Sequence, residues 1–198
     1  MANIESVNFD YIRKWEGGLS SHKADIASKN PVPSIPEKPN PKGIHTNVGV
    51  TWAAWVTIFG NTKDSVLKFY EMPKDMWLKV YRVYWNMVSA NSINSDIIAE
   101  FLADFAWGSG GNAPRELQKL LIKLGYYEKE PQMRMNTLVV NALNKAIAEK
   151  GEAEMYRLLF EHRCNWLRKI PSFATFGKGW MNRLNDFNKY ATAKIKGQ

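Results

Sequence analysis

Apolar residues recur at helical spacing along most of the chain and at strand spacing almost nowhere. Between residues 95 and 107 they repeat every four positions, and the run ends at the glycines of GSGG: Ile97, Phe101 and Phe105, with Ile98 and Leu102 beside them. This pattern predicts a core helix with few polar positions. Similar periodicity predicts helices in the segments 73–90, 113–127, 137–151 and 153–170.

A helix is also predicted near each end of the chain. Residues 6 to 16 place apolar and polar side chains on neighbouring turns, which predicts a short helix that ends at Glu16. Gly17 and Gly18 follow as terminators that tolerate positive φ. The tail from residue 173 onward is predicted as a loop and then a last helix.

The segment between the first helix and the core helix is less regular. Residues 28 to 42 contain five of the nine prolines, which predicts a long surface loop, either an insertion or a lid. The next segment, GIHTNVGV, combines β-branched residues with glycines and is consistent with a small hairpin. A helix is predicted from Thr51 to Phe59, with Thr51 as its N-cap. The expected fold class is therefore mainly α with one small hairpin.

Composition and charge limit the class of protein. A chain of 198 residues with 45% hydrophobic and 13% aromatic residues is expected to fold as one globular domain, or as a main domain with a small subdomain. The formal charge of +8 favours an anionic partner such as nucleic acid, an acidic polymer or a membrane surface. The basic residues are scattered, which indicates a diffuse field rather than a basic arm.

The cysteine and histidine content argues against several kinds of chemistry. A single cysteine, Cys164, excludes an intrachain disulfide framework. His22, His45 and His162 are too scattered for a metal motif, so no metal and no other cofactor are expected. His162 and Cys164 project from different faces of one predicted helix, which disfavours a Cys–His nucleophile. The N-terminus lacks a secretion pattern and no run of 18 apolar residues occurs, so we expect cytoplasmic synthesis without a signal peptide and no membrane insertion.

The tetrapeptide WEGG contains the best candidate for catalysis. A glutamate at a helix C-terminus meets the negative end of the peptide dipoles, which disfavours its anion by about 0.3–1 kcal/mol. Partial burial against Trp15 would raise the pKa of Glu16 further. A carboxylic acid that stays protonated can donate a proton to a leaving oxygen, as in glycoside hydrolysis. Gly17 and Gly18 would let a bulky polymer approach, whereas the alternative is a solvated residue at a helix end.

Five segments, in order, resemble the landmarks of glycoside hydrolase family 108, the bacterial and phage-derived N-acetylmuramidases: WEGGLSS, GIHTNVGVTWAAW, YRVYWNMVSA, LADFAWGSGGNAPRELQKLL and RCNWLRKIPSFATFGKGWMNRL. The E-G-G element alone is weak, but it becomes specific together with T-N-x-G-[IV]-T, Y-W and F-G-K-G-W. The resemblance implies a lysozyme-like α fold, cleavage of the glycan strand of peptidoglycan, and Glu16 as the catalytic glutamate.

The resemblance also implies a division of the chain. Residues 1–111 would form the lysozyme-like catalytic region, completed by residues 171–198, and residues 112–170 would form a helical peptidoglycan-binding-like segment. In the family this segment usually contains a D-G-x-x-G-x-x-T turn before its second helix. This chain reads YEKEPQMRMNTLVV there, which keeps Thr137 without the glycines.

Two aspartates are candidates for a second catalytic carboxylate. Asp25 lies nine residues after Glu16, a separation similar to that in phage-type lysozymes, whose glutamate, aspartate and threonine flank the cleft. It is the first candidate for a base or electrostatic partner, although HKADIASKN lacks the usual D-P and G-G pattern. Asp104 interrupts an apolar helix and is the second candidate, with a carboxylate that binds a loop or an arginine as the structural alternative.

Three further residues are candidates for substrate contact. Thr46 and Thr51 are predicted beside the cleft, where their hydroxyls would orient water or substrate, and a cap or strand role is the alternative. Trp107 precedes GSGG and could form a wall on which a sugar stacks, or it could belong to the core.

The expected function is therefore that of a muramidase that hydrolyses the β-1,4 bond between N-acetylmuramic acid and N-acetylglucosamine. Its expected partner is the peptidoglycan glycan strand, without nucleic acid, and we expect a monomer. The missing signal segment fits a phage or prophage endolysin that acts at the cell wall after release through a membrane lesion, or a product exported by another route. One alternative is a wall-binding protein that has lost its chemistry. The other, a nucleic-acid-binding protein, rests on the +8 charge and on KLLIKLGYYEK, but no helix-turn-helix or zinc-finger pattern occurs.

Overall fold

The structure is a computed structural model that describes residues 2–7 and 12–197. Contacts within the chain define two compact units. We call residues 8–83 the hairpin unit, and residues 1–7 with 84–198 the helical unit. Across the described ranges, no helix combines the length and the apolar character that crossing a bilayer requires.

The hairpin unit contains the only strands among the described residues. Its elements are a 3-10 helix at Ile26–Lys29, strands β1 (Thr46–Asn47) and β2 (Val50–Thr51), helices α1 (Trp52–Phe59) and α2 (Lys63–Glu71), and most of α3 (Lys74–Met87). The strands are antiparallel, with Thr46 opposite Thr51 and Asn47 opposite Val50, so the predicted hairpin is confirmed. The predicted N-cap is also confirmed, because the Thr51 hydroxyl accepts the Ala54 N–H at 3.2 Å.

Aromatic side chains form the core of the hairpin unit. The rings of Trp52 and Trp55 both meet the ring of Phe69 edge-on, with centroids 5.3 and 5.6 Å away. The side-chain amide of Asn47 donates to the Phe69 carbonyl at 2.7 Å and thereby joins the hairpin to α2. The sequence pattern did not predict α2, which begins after the N-cap Thr62.

The proline-rich segment is a surface loop, as predicted, and it is closed by one amide side chain. Asn40 donates to the carbonyls of Val32 and Ile44 at 2.8 and 3.0 Å and accepts the Ile44 N–H at 2.7 Å. Val32 is buried. An ion pair between Glu37 and Lys63 anchors the loop to α2.

The helical unit is built around one apolar helix. Its elements are 3-10 helices at Ile4–Ser6 and Ala90–Ser92 and helices α4 (Asp96–Ser109), α5 (Asn112–Lys123), α6 (Thr137–Lys150), α7 (Glu152–Leu167) and α8 (Phe173–Lys196). The ten consecutive residues 97–106 of α4 are all buried, which confirms the predicted core helix. The mainly α, lysozyme-like class expected from the sequence is confirmed.

Helices α5 to α7 correspond to the segment that the sequence marks as peptidoglycan-binding-like. The loop before α6 is ordered by the buried Gln118, which donates to the carbonyls of Gln132 and Arg134 at 2.9 Å. Its side-chain oxygen accepts the Gln132 N–H at 2.9 Å. A buried amide therefore organises the turn in which the family's glycines are missing. The predicted division at residue 111 lies inside the helical unit and stays a prediction.

The tail differs from its prediction. A loop was expected before the last helix, but α8 is continuous from Phe173 and contains F-G-K-G-W within its first turns. A Cβ on Gly177 would lie 2.7 Å from the ring of Phe173. Gly177 is therefore required by close packing inside the helix, where it does not act as a helix stop.

Candidate active site

Glu16 follows the end of the first helix at a distance of one turn. Residues 8–11 of the predicted helix lie outside the described residues, and its described part ends at Arg13 rather than at Glu16. The Glu16 N–H donates to the Arg13 carbonyl at 3.0 Å and closes the turn that follows. Because the effect of the helix dipole fades within the last turn, it acts more weakly on Glu16 than the sequence suggested.

The paired glycines provide open space rather than a left-handed turn. Neither Gly17 nor Gly18 has a positive φ, and a Cβ on either would meet nothing within 4 Å. Both glycines are exposed. Two residues further on, the Ser20 N–H donates to the Thr46 carbonyl at 2.9 Å, so the segment is tied to the outer edge of β1.

The hairpin turn holds the Glu16 side chain. Val48 and Gly49 connect the strands with φ of 44° and 74°, the left-handed pair of a type I′ turn. A Cβ on Gly49 would lie 2.5 Å from Cδ and 3.1 Å from Cγ of Glu16. The carboxyl therefore packs on the bare backbone of Gly49, and Glu16 is half-buried. Only glycine provides both the conformation and the space at this position.

The turn is also connected to α3. The indole Nε1–H of Trp77 donates to the Val48 carbonyl at 2.9 Å. Trp77 is fully buried, and the guanidinium of Arg13 lies 5.6 Å from the centre of its ring. Val48, Gly49 and Trp77 were not among the predicted site residues. The sequence signal for the turn was the glycine of the Val-Gly pair between the short segments T-N and V-T, since glycine at the second turn position indicates a tight hairpin.

The two threonines lie opposite each other on the hairpin. Thr46 and Thr51 are half-buried, whereas Asn47 and Val50 are buried on the other face. Thr51 caps α1. Oγ1 of Thr46 lies 2.8 Å from Nδ1 of His45, which is fully buried. Both hydroxyls thus have structural partners, and their predicted contact with substrate stays a prediction.

Asp25 begins the short 3-10 helix of the hairpin unit. Its Oδ1 accepts the Ala27 N–H at 3.0 Å, and its own N–H donates to the His22 carbonyl at the same distance. The residue is half-buried. One carboxylate oxygen is therefore engaged as an N-cap, and the catalytic role of Asp25 stays a prediction.

Asp104, in the helical unit, is enclosed by positive charge. It is 3% exposed, and its oxygens accept from Arg163 Nη1 at 2.8 Å and Arg183 Nη2 at 2.5 Å. Burial alone would raise the pKa of this carboxyl, but the two guanidiniums hold the pKa below its usual range. Of the two structural alternatives stated for Asp104, a loop or an arginine, the contacts match the arginine.

Trp107, also in the helical unit, lies in the last turn of α4. Its ring meets that of Tyr84 edge-on, with the centroids 5.1 Å apart. Both residues are half-buried, so the predicted role in sugar stacking stays a prediction. Among residues 2–7 and 12–197, no three His, Cys, Asp or Glu side chains converge as a metal-binding group.

The sequence matches a family of glycoside hydrolases. The sequence profile described as Glycosyl hydrolase 108 matches residues 9–110, or 102 of 198 residues, and the chain belongs to this family. The matched region includes Glu16, the hairpin and α4. A comparison with curated proteins gives no significant match.

A solved structure supports the fold. SagA of Brucella abortus is similar with a TM-score of 0.68 and 24% sequence identity, over 93% of this chain and 91% of that chain. At this identity the likeness shows the fold alone.

Proposed function

We propose that this glycoside hydrolase is an N-acetylmuramidase that cleaves the β-1,4 bond between N-acetylmuramic acid and N-acetylglucosamine in peptidoglycan. One observation carries the proposal: the carboxyl of Glu16 is seated on Gly49 and is followed by two glycines with open space above them. The two glycines are exposed, so a polymer can approach the backbone that directly follows the acid. Family membership supplies the reaction class.

In the proposed reaction Glu16 is the general acid. Its proton passes to the glycosidic oxygen as the bond from that oxygen to the anomeric carbon breaks, and the leaving sugar departs as an alcohol. A water molecule then adds to the anomeric carbon of N-acetylmuramic acid and gives one proton to a carboxylate, which balances the proton that Glu16 donated. Gly17 and Gly18 would let the glycan strand approach the acid.

The remaining predicted residues receive different roles. Asp25 is our candidate for the base that activates water, and its cap to Ala27 would hold it in place. Thr46, Thr51 and Trp107 are candidates for orienting water or sugar rings. We assign Asp104 a structural role, because a carboxylate between two guanidiniums is a poor base and holds no proton to donate. In this proposal the protein reaches the wall after release or export.

A second candidate function is a wall-binding protein without hydrolytic activity. The observation in its favour is that both candidate second carboxylates have structural partners: Asp25 caps a 3-10 helix and Asp104 forms ion pairs. The charge of +8 suits an anionic wall polymer under either function.

Digestion of purified peptidoglycan tests the proposal. After incubation, the new reducing ends are reduced with borohydride and the muropeptides are analysed by mass spectrometry. A muramidase leaves reduced N-acetylmuramic acid at the new ends. Reduced N-acetylglucosamine would instead show the other glycosidic bond to be cleaved, and binding to the wall without new reducing ends would favour the second candidate.

A further inference from the structure

The tip of the hairpin contains an unfavourable residue choice. Val48 has φ of 44°, in the left-handed region that a β-branched side chain seldom adopts. The first position of a type I′ turn ordinarily carries Asn, Asp or Gly. Backbone of this kind persists only where the surrounding structure holds it, and it is concentrated at functional sites.

The indole of Trp77 is the group that holds this residue. An indole has one donor, and that of Trp77 goes to the Val48 carbonyl at 2.9 Å. The ring is fixed because it is fully buried and stacks on Tyr81, at 5.6 Å between centroids and an angle of 13°. On the other side of the turn, Asn47 is tied to the Phe69 carbonyl.

The residue after Val48 is the one that seats the catalytic carboxyl. The Val48 carbonyl belongs to the peptide group that leads into Gly49, and Glu16 packs on the α-carbon of Gly49. A rotation of this peptide would move the surface on which Glu16 rests. We propose that Trp77 is a positioning residue, whose indole N–H keeps Val48 left-handed and thereby aligns Glu16 for proton transfer. This inference rests on the function proposed above.

The first test compares two buried tryptophans of the hairpin unit. Trp77→Phe removes the donor to Val48, and the control Trp55→Phe removes an equally buried indole that donates to the Ser65 carbonyl at 3.1 Å and the Ser65 hydroxyl at 2.9 Å. Because a small displacement of an acid is costly, we expect Trp77→Phe to lower kcat on peptidoglycan by roughly 10-fold to 100-fold with KM little changed. Trp55→Phe should lower Tm but leave the kcat of the folded enzyme within about twofold. Equal losses of kcat in both variants would overturn the proposal.

The second test is a rescue. Asn adopts the left-handed conformation readily, so Val48→Asn should make the indole bond dispensable. Added to Trp77→Phe, it should restore kcat to within about threefold of the parent enzyme. A double variant as slow as Trp77→Phe alone would contradict the mechanism. Val48→Asn by itself should raise Tm, and this measurement does not depend on whether Trp77→Phe folds. A lower Tm would show that Val48 is not held in an unfavourable conformation.

Comparing Glu16→Gln with Trp77→Phe distinguishes a failure of the proposed function from a failure of the positioning role. If Glu16→Gln retains the parent kcat, the general-acid assignment is wrong and the positioning role is wrong with it. If Glu16→Gln is inactive while folded Trp77→Phe keeps the parent kcat, only the positioning role is wrong.

Discussion

The hairpin unit and the helical unit each hold a carboxyl group that stands out in the sequence, and they hold it in opposite ways. Glu16 is half-buried on the bare backbone of Gly49. Asp104 is 3% exposed and lies between Arg163 and Arg183. Two counter-charges hold Asp104 as an anion that stabilises the helical core. Glu16 instead packs on backbone and is followed by two exposed glycines, where a polymer can approach it in the proposed function.

The backbone that surrounds Glu16 also differs from the backbone that surrounds Asp104. In the helical unit, α4 buries ten consecutive residues and supports its ion pairs from inside a helical core. In the hairpin unit, strands of two residues each and a left-handed turn present the site. Residues at reactive sites are often carried by irregular backbone on a rigid support, where local stability is lower. Substitutions in the two units should therefore affect different measurements.

The largest expected effect follows from removing the acid. Glu16→Gln keeps the size of the side chain but carries no acidic proton, so kcat on purified peptidoglycan should fall by about 10²–10⁴-fold. Thermal unfolding should be little changed. The control is Glu71→Gln, which removes an exposed carboxylate paired with Lys68 in the same unit. Lysis at the parent rate by Glu16→Gln would refute the assignment.

Asp104→Asn should lower stability instead of turnover. It leaves two guanidiniums around an uncharged amide, which should cost about 3–5 kcal/mol in the free energy of unfolding. Urea denaturation measures this loss, and kcat per folded molecule should stay near that of the parent. Asp64→Asn, at an exposed aspartate in the first turn of α2, is the control and should cost at most about 1 kcal/mol.

The pH dependence of Asp104 has a defined sign. Its pKa is lower in the folded state than the ordinary value for aspartate. The ion pairs therefore contribute full stability above the unfolded pKa, and this contribution is lost as pH falls through the folded pKa. Asp104→Asn should remove this part of the acid dependence. Unchanged stability together with lost turnover would instead indicate a catalytic role.

Local sequence patterns predicted the features that depend on interactions between residues close in sequence. The four-residue repeat identified α4, and Thr51 was identified as the cap of α1 from its place before an apolar run. The acid in WEGG was selected on the same kind of evidence, because its neighbours in sequence define it, and its catalytic role stays a prediction. The partners of Asp104 lie 59 and 79 positions away, so no local pattern could reveal them.

The errors have physical causes as well. A loop was predicted at the start of the tail, but α8 is already helical there, and the ring of Phe173 fills the space of a Cβ on Gly177, which makes this glycine a packing requirement. Gly17 and Gly18 suggested a left-handed stop, whereas the left-handed glycine of the site is Gly49. The contact between Gly49 and Glu16 is set by the tertiary fold, so their sequence positions alone did not predict it.

Gly49→Ala tests whether the contact with the Gly49 backbone positions Glu16. The added methyl would overlap the Glu16 carboxyl, and φ of 74° adds backbone strain of about 1–2 kcal/mol. Gly60→Ala is a control for backbone strain without a side-chain clash, because Gly60 has φ of 74° and ψ of 175°, which is nearly restricted to glycine, and a Cβ there would meet nothing within 4 Å. Both variants should lose stability in urea. Only Gly49→Ala should lower kcat, by at least about tenfold, and equal kcat values would show that Glu16 does not depend on this contact.

The smallest expected effect concerns Glu100, one turn before Asp104 on α4. Glu100 is 2% exposed and accepts from Lys194 Nζ at 2.7 Å and from the Tyr190 hydroxyl at 3.0 Å. Burial raises its pKa, and the two donors only partly oppose this. A folded-state pKa above the unfolded value means that ionisation costs stability at neutral pH. This cost disappears as pH falls through the folded pKa towards the unfolded pKa, which is the reverse of the dependence for Asp104.

Glu100→Gln therefore tests whether counter-charge, rather than burial, distinguishes the carboxylates of α4. The amide keeps an oxygen acceptor for Tyr190, and Lys194 is partly exposed and can remain hydrated. We expect the free energy of unfolding at neutral pH to change by less than about 1 kcal/mol. Urea denaturation near neutrality and at mildly acidic pH measures the difference. In acid the parent should regain the stability that ionisation of Glu100 costs at neutral pH, whereas the variant should not. A loss as large as that of Asp104→Asn would show that a single lysine stabilises a buried carboxylate as effectively as two arginines.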